Sequence, residues 1–307
     1  MVRVDEFQFL SGQAAGIGVS GIPVVQRLTH RLSCGRTLSA LRYGDAPPRV
    51  VFLHGAGLNA HTWDVTVLAA GVPALAVDLA GHGDSSWRDD ADYAPRVLSP
   101  DIAEALAAWA PERLLVVGHS LGGLTAAALA AENPALADAL VIVDITPGAT
   151  SGSGAASLRE FFAGPTDWAT RDELVDRALA FGLGGDRAAA TRGVFHNSRI
   201  RTDGRVEWKH HFAHLAARLA AHGDDGTPPR PRSDGWDDLT GVRCPITLVR
   251  GTRGFVTEAH RDEFVRRVPH ATVVEFDSGH NVQEEQPVAL GRLVARLASP
   301  DAAVDAS

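Results

Sequence analysis

The chain has a single lysine, Lys209, and only two cysteines, Cys34 and Cys244, in 307 residues. It also lacks the roughly 18 uninterrupted apolar residues that a membrane-spanning helix needs. Stretch 65–80, the longest apolar candidate, is broken by Gly71, Pro73 and Asp78. Positive charge is outnumbered, with 29 Lys and Arg against 37 Asp and Glu, a formal net of −8. Each lack excludes something. Nucleic acid is not expected as a partner, because phosphate binding needs a surplus or a patch of basic side chains. No membrane partner is expected either. Two cysteines cannot build a disulfide framework and fit a reducing, cytoplasmic setting with both thiols unpaired. Asp5 and Glu6 stand early and no sustained apolar region follows, so no secretory leader is expected.

What is present is a globular composition. Hydrophobic residues make up 45% and charged residues 21%, enough to bury a sizeable core without staples. Residues 1–23 are Gly-rich and weakly patterned and read as an irregular arm. Strand and helix signals then alternate. Spans 24–32, 38–43, 49–53, 74–77, 114–117 and 140–143 read as strands, and 61–70 and 121–132 as helices. Ser99 before Pro100 matches an N-cap followed by Pro at the first helical position, opening a helix to about 110. After residue 147 the rhythm changes: 148–222 carries helix-like segments and no clear buried strand, and 223–238 is a Pro, Gly and Asp-rich linker. The alternation resumes with strands at 246–250 and 272–276 and helices at 258–268 and 287–298. Such alternation predicts an α/β fold with a largely parallel sheet covered on both faces. The expected division is a core of 1–147 and 239–307 interrupted by a mostly helical insertion, 148–238.

Four short motifs carry the chemistry. Gly118-His119-Ser120-Leu121-Gly122 matches G-x-S-x-G directly after a predicted strand and before a predicted helix, the context of a nucleophile elbow. The glycines suit a sharp turn that lifts the Ser120 oxygen off the sheet edge, and the helix start offers free N–H groups to a developing anion. His54-Gly55-Ala56-Gly57 follows the strand at 49–53 and can supply a second oxyanion donor, the N–H of Ala56 or, alternatively, Gly57. The first donor is the N–H of Leu121. Asp78-Leu79-Ala80-Gly81-His82-Gly83-Asp84-Ser85 reads as a tight structural loop, with His54 and His82 structural rather than catalytic. Ser278-Gly279-His280-Asn281 follows the last strand and places His280 where a base for Ser120 belongs.

With these motifs in this order, over about 24–147 and 240–298, the sequence resembles the α/β-hydrolase superfamily, specifically the capped, epoxide-hydrolase-like branch of Ser hydrolases. The resemblance implies an eight-stranded, mostly parallel sheet with a lid inserted after strand six, where the insertion begins. One position departs from the pattern. The triad acid usually stands after strand seven in a G-x-x-D context, and here Gly254 fills that slot in Gly251-Thr252-Arg253-Gly254. Some members place the acid after strand six, which points to Asp144 in Val143-Asp144-Ile145. Glu258 and Asp262, on the helix after strand seven, are the alternatives, and a dyad or an inactive site is the remaining one.

Dehalogenases and epoxide hydrolases of this fold use Asp at the elbow, so Ser120 argues for acyl transfer instead. The expected reaction is hydrolysis of a carboxylic ester, lactone or thioester through an acyl-enzyme. A C–C hydrolase, perhydrolase, lyase or a binding protein that has lost turnover are the alternatives. The insertion carries Phe161, Phe162, Trp168, Phe181, Phe195, Trp208 and Phe212, which pack the lid or line an apolar pocket for a small-molecule substrate. Trp63 fits either the pocket or the core. His210 and His214 stand four apart, as metal ligands can, but no acid lies between them and no Cys is near. No metal and no cofactor are expected, since no dinucleotide or P-loop fingerprint is present.

Overall fold

Strand β3, Val50–Leu53, shows how the sheet is built: four apolar residues in a row, all fully buried. Val51 and Leu53 pack on one face and Val50 and Phe52 on the other, as side chains alternating across a doubly covered strand must. This computed structural model describes residues 5–110, 112–150, 160–161, 164–215 and 235–299. The other sheet strands are β1 (Val25–Arg31), β2 (Thr37–Tyr43), β4 (Ala74–Asp78), β5 (Leu114–His119), β6 (Ala137–Val143), β10 (Ile246–Gly251) and β11 (Thr272–Phe276). Their order is β1-β2-β4-β3-β5-β6-β10-β11. β2 runs antiparallel to both its neighbours, and β4, β3, β5, β6, β10 and β11 are mutually parallel. This is the eight-stranded, mostly parallel sheet expected.

Helices α3 (Pro95–Trp109), α4 (Leu121–Glu132), α7 (Trp236–Gly241) and α8 (Glu258–Arg267) bury their apolar faces on one side of the sheet. Helices α2 (Asp64–Ala70) and α10 (Pro287–Leu297) cover the other. Trp63 is fully buried against Phe52 in this second layer and belongs to the core, not to a pocket. No helix among the described residues is long and apolar enough to cross a membrane.

Three expectations need correction. Residues 1–23 are not wholly irregular: helix α1, Leu10–Gly16, docks Leu10 and Ala14 on Leu68 of α2. With Gly at 12 and 16 its intrinsic propensity is poor, so tertiary docking holds it. Helix α3 starts five residues earlier than the Ser99-Pro100 pair suggests, with Pro95 at its first position and Pro100 inside it. Ser99 is buried and donates to Glu132 Oε2 (2.5 Å) instead of capping. The segment between β6 and β10 is not free of strands. β7 (Asp167–Trp168), β8 (Ser198–Ile200) and β9 (Val206–Trp208) form a small antiparallel sheet in the order β7-β9-β8. Strands of two or three residues are too short to show a period of two.

This sheet and helices α5 (Arg171–Ala180) and α6 (Arg187–Asn197) share a separate small core around Trp168, Leu174, Val194 and Trp208. The expected linker at 223–238 lies outside the described residues up to 234, as do Phe162 and His222.

Candidate active site

β5 ends at His119 and α4 begins at Leu121, so Ser120 alone makes the turn. It does so at φ 52°, ψ −120°, a left-handed conformation costly for any residue with a side chain. The flanking glycines follow from the tightness of this turn. A Cβ at Gly118 would lie 2.3 Å from the Gly122 carbonyl oxygen, and one at Gly122 would lie 2.3 Å from that of Leu53. The loop after β3 presses on the same point, since a Cβ at Gly55 would stand 3.2 Å from the Ser120 Cβ. Ala56 therefore lies beside Ser120, at a helix start whose first N–H groups have no carbonyl one turn back.

Asp144 directly follows β6 and is completely buried. It too has a positive φ, 48°. Its Oδ1 accepts from the Gly251 N–H (3.0 Å) and its Oδ2 from the Phe255 N–H (2.6 Å). Oδ2 also accepts from His280 Nδ1 at 2.8 Å. With Nδ1 donating, His280 keeps Nε2 as its basic nitrogen. Nε2 is buried without a hydrogen-bond partner. The Phe255 ring stacks on the imidazole at 3.5 Å between centroids and 8° between planes, fixing its tilt.

The carboxylate that bonds His280 comes from the end of the neighbouring strand β6, and position 254 has no room for one. A Cβ at Gly254 would lie 2.1 Å from Asp144 Oδ2. Glu258 and Asp262 are exposed on α8, where Asp262 pairs with Arg261 (2.8 Å), and neither bonds His280.

Ser120, His280 and Ala56 line one chamber of about 130 Å³. Leu58, Leu183, Val194, Phe161 and Trp208 make it largely apolar. Ser120 and His280 are not hydrogen-bonded to each other; such contacts commonly tighten only with substrate bound. Of the remaining insertion aromatics, Trp168 fills the small core. Phe181 meets Phe161 edge-on, Phe195 meets Phe9, and Phe212 packs on His82 and Tyr93.

His54, His82 and His119 have structural partners. His54 Nδ1 donates to the Gly55 carbonyl (2.8 Å) and Nε2 accepts from the Leu79 N–H (3.0 Å). His82 donates to the Ala80 carbonyl. His119 Nε2 donates to the His280 carbonyl (3.0 Å), and burial, with His280 beside it, holds it neutral. Asp78 organises its loop by accepting from Arg27 (2.7 Å) and from the Ala60 N–H (2.8 Å).

Sequence reasoning missed Phe255, Asn197, Asn281 and Glu284. Asn281 and Glu284 sit on or beside the short helix α9, Val282–Glu285, directly after His280. The spacing of four between His280 and Glu284 was the available signal. Glu284 itself is exposed.

Among the described residues one group has metal-ligand character: His61, Asp64 and His196, with ligand atoms within 4.8 Å of one another. His61 and His196 are stacked at 3.7 Å and 18°. Near-parallel imidazoles aim their in-plane lone pairs along separate lines, so this arrangement cannot converge on one ion. His210 precedes the helical turn that bears His214, and its ring stacks on Trp208.

Comparison with known proteins bears on the whole site. The model of the Alpha/beta hydrolase family matches residues 50–292. The esterase Rv0045c of Mycobacterium tuberculosis is 39% identical over 303 residues, covering 96% of both chains. Its solved structure superposes with a TM-score of 0.80 over 96% of this chain and 99% of that one. The sn-1-specific diacylglycerol lipase ABHD11 of Mus musculus is 28% identical, covering 80% of this chain and 79% of its own. Sheet order, elbow geometry and the extent of these matches agree: the chain belongs to the alpha/beta hydrolase family.

Proposed function

We propose that the chain is an ester hydrolase working through an acyl-enzyme on Ser120, with His280 as base and Asp144 as the triad acid. The observation that carries this reading is the 2.8 Å bond from His280 Nδ1 to Asp144, with His280 and the strained Ser120 in one chamber. Similarity to the M. tuberculosis esterase over nearly the full chain supports the ester as substrate; a lactone or thioester has the same acyl chemistry.

His280 Nε2 takes the Ser120 hydroxyl proton as Oγ bonds to the acyl carbon. The N–H groups of Ala56 and Leu121 hold the resulting oxyanion. The C–O bond to the alcohol breaks as His280 returns the proton to the departing oxygen. Water then attacks the acyl-serine, giving its proton to His280. The carboxylic acid departs as Ser120 recovers its hydroxyl hydrogen. Asp144 holds the productive tautomer and stabilises the imidazolium.

Residues 148–238 act as a cap whose apolar wall, Phe161 and Trp208, shelters the acyl group from water. The substrate is a small molecule, and two free cysteines suit a cytoplasmic enzyme. The test is a fluorophosphonate probe and a panel of p-nitrophenyl esters. Wild type is labelled and active, and Ser120→Ala loses labelling and about 10⁶ in kcat. Wild-type protein that is neither labelled nor active overturns the reading.

A further inference from the structure

A second cavity of about 590 Å³ shares part of its wall with the Ser120 chamber. The two share His280, Asn281, Glu284, Asn197 and Gly193 in their walls, but Ser120 and Ala56 line only the inner one. That division assigns the halves of an ester. The acyl carbon must sit at Ser120 and its oxygen at Ala56, whereas the departing alcohol must take its proton from His280. The alcohol half therefore points into the outer cleft. Sizes agree, since typical ligand pockets hold about 300–1,000 Å³. The inner chamber falls below that range and admits a small acyl group. The outer cleft falls within it. Gly193, in the shared wall, faces open space: a Cβ there would meet nothing within 4 Å.

The outer wall mixes apolar side chains such as Leu58 and Leu183 with charged ones such as Arg192 and Asp186, and it carries five amides. Gln13, Asn59, Asn197, Asn281 and Gln283 line it, beside Glu284. Gln283 is 1% exposed, yet neither its Nε2 nor its Oε1 has a hydrogen-bond partner, and Gln13 Oε1 has none either. Asn59 Nδ2 is spent on Asn197 Oδ1 (2.7 Å), which leaves the Asn197 amide N–H groups for the cleft. Glu284 has no cation paired with it among the described residues, and its nearest polar contacts are Asn281 Nδ2 (3.2 Å) and Thr62 Oγ1 (3.5 Å). Buried polar atoms left without partners are costly. Amides both donate and accept, as hydroxyl groups do.

We propose that the outer cleft binds a hydroxylated alcohol half, so that the substrate class is a small acyl ester of a polyol or sugar. This rests on the Ser120 reading above and goes beyond it. The test compares kcat/KM for esters sharing one acyl group. One pair is 1-monobutyrylglycerol and 2-methylbutyl butyrate. The other is methyl 6-O-butyrylglucoside and cyclohexylmethyl butyrate. Wild type favours the hydroxylated member of at least one pair by tenfold or more, and which pair shows it separates polyol from sugar. Gln283→Met lowers that ratio at least fivefold. Should that variant not fold, inhibition of wild-type p-nitrophenyl butyrate hydrolysis decides: methyl glucoside or glycerol inhibits at lower concentration than cyclohexylmethanol. Equal rates within both pairs, or stronger inhibition by cyclohexylmethanol, overturn this inference while leaving the esterase intact. No turnover of any butyrate ester and no fluorophosphonate labelling overturn the Ser120 reading itself.

Discussion

At Gly254 the backbone runs so close to Asp144 that even a methyl group would displace the carboxylate. Gly254→Ala therefore lowers kcat on a p-nitrophenyl ester by about 10² or more, the scale of a misplaced catalytic group. Its thermal midpoint shows whether folding is affected as well. Asp144→Asn removes the acceptor that holds the His280 tautomer, and kcat falls by about 10⁴. Glu258→Gln, exposed on α8, leaves kcat unchanged, and the two variants assayed side by side identify the acid. Short motifs point to Ser120, His280 and Ala56, because turn geometry needs glycine at fixed offsets. The empty acid slot at 254 is also legible and points to Asp144, with Glu258 and Asp262 as alternatives. Which acid reaches His280 depends on strand neighbours 136 residues apart in the chain.

Between β5 and α4 the whole turn is one residue, so the elbow tolerates nothing larger than glycine two residues before and two residues after Ser120. Gly118→Ala places a Cβ on the Gly122 carbonyl and destabilises by about 2 kcal/mol or more, measured by denaturant unfolding, since overpacking of this kind costs roughly 1–3 kcal/mol. Elements with strong local signals were legible: β3, β5 and α4 lie close to where apolar runs and glycines put them. Elements that owe their existence to packing were not. Helix α1 has two glycines and survives by docking on α2. Helix α3 tolerates Pro100 in its interior because Leu98, Ile102 and Leu106 are buried around it. The strands of the small sheet gain their pairing only from their neighbours.

Across the whole molecule, the insertion is tied to the core at the rim of the outer cleft. Asn59 of the core donates to Asn197 of α6, and His61 stacks on His196. Burial alone would lower His61, but Asp64 (3.0 Å) and Glu6 outweigh it and raise the imidazole to about 9, whereas burial and the His61 charge take His196 down to about 2. A His raised above its unfolded value near 6.5 contributes stability in full below that pH and loses it as pH rises through the folded value. The thermal midpoint should therefore fall between about pH 6.5 and pH 9, with up to about 3 kcal/mol involved. His61→Gln should flatten that slope, and an unchanged slope would remove His61 from the account.

The sequence by itself determined the α/β alternation, the elbow serine and the loop histidine, because each rests on periodicity or on backbone turns a few residues long. Only the tertiary structure decided which carboxylate reaches His280, the place of Trp63 and the cleft beside the Ser120 chamber. Those depend on which distant strands lie side by side, and burial and hydrogen bonding are set by that adjacency rather than by local order along the chain.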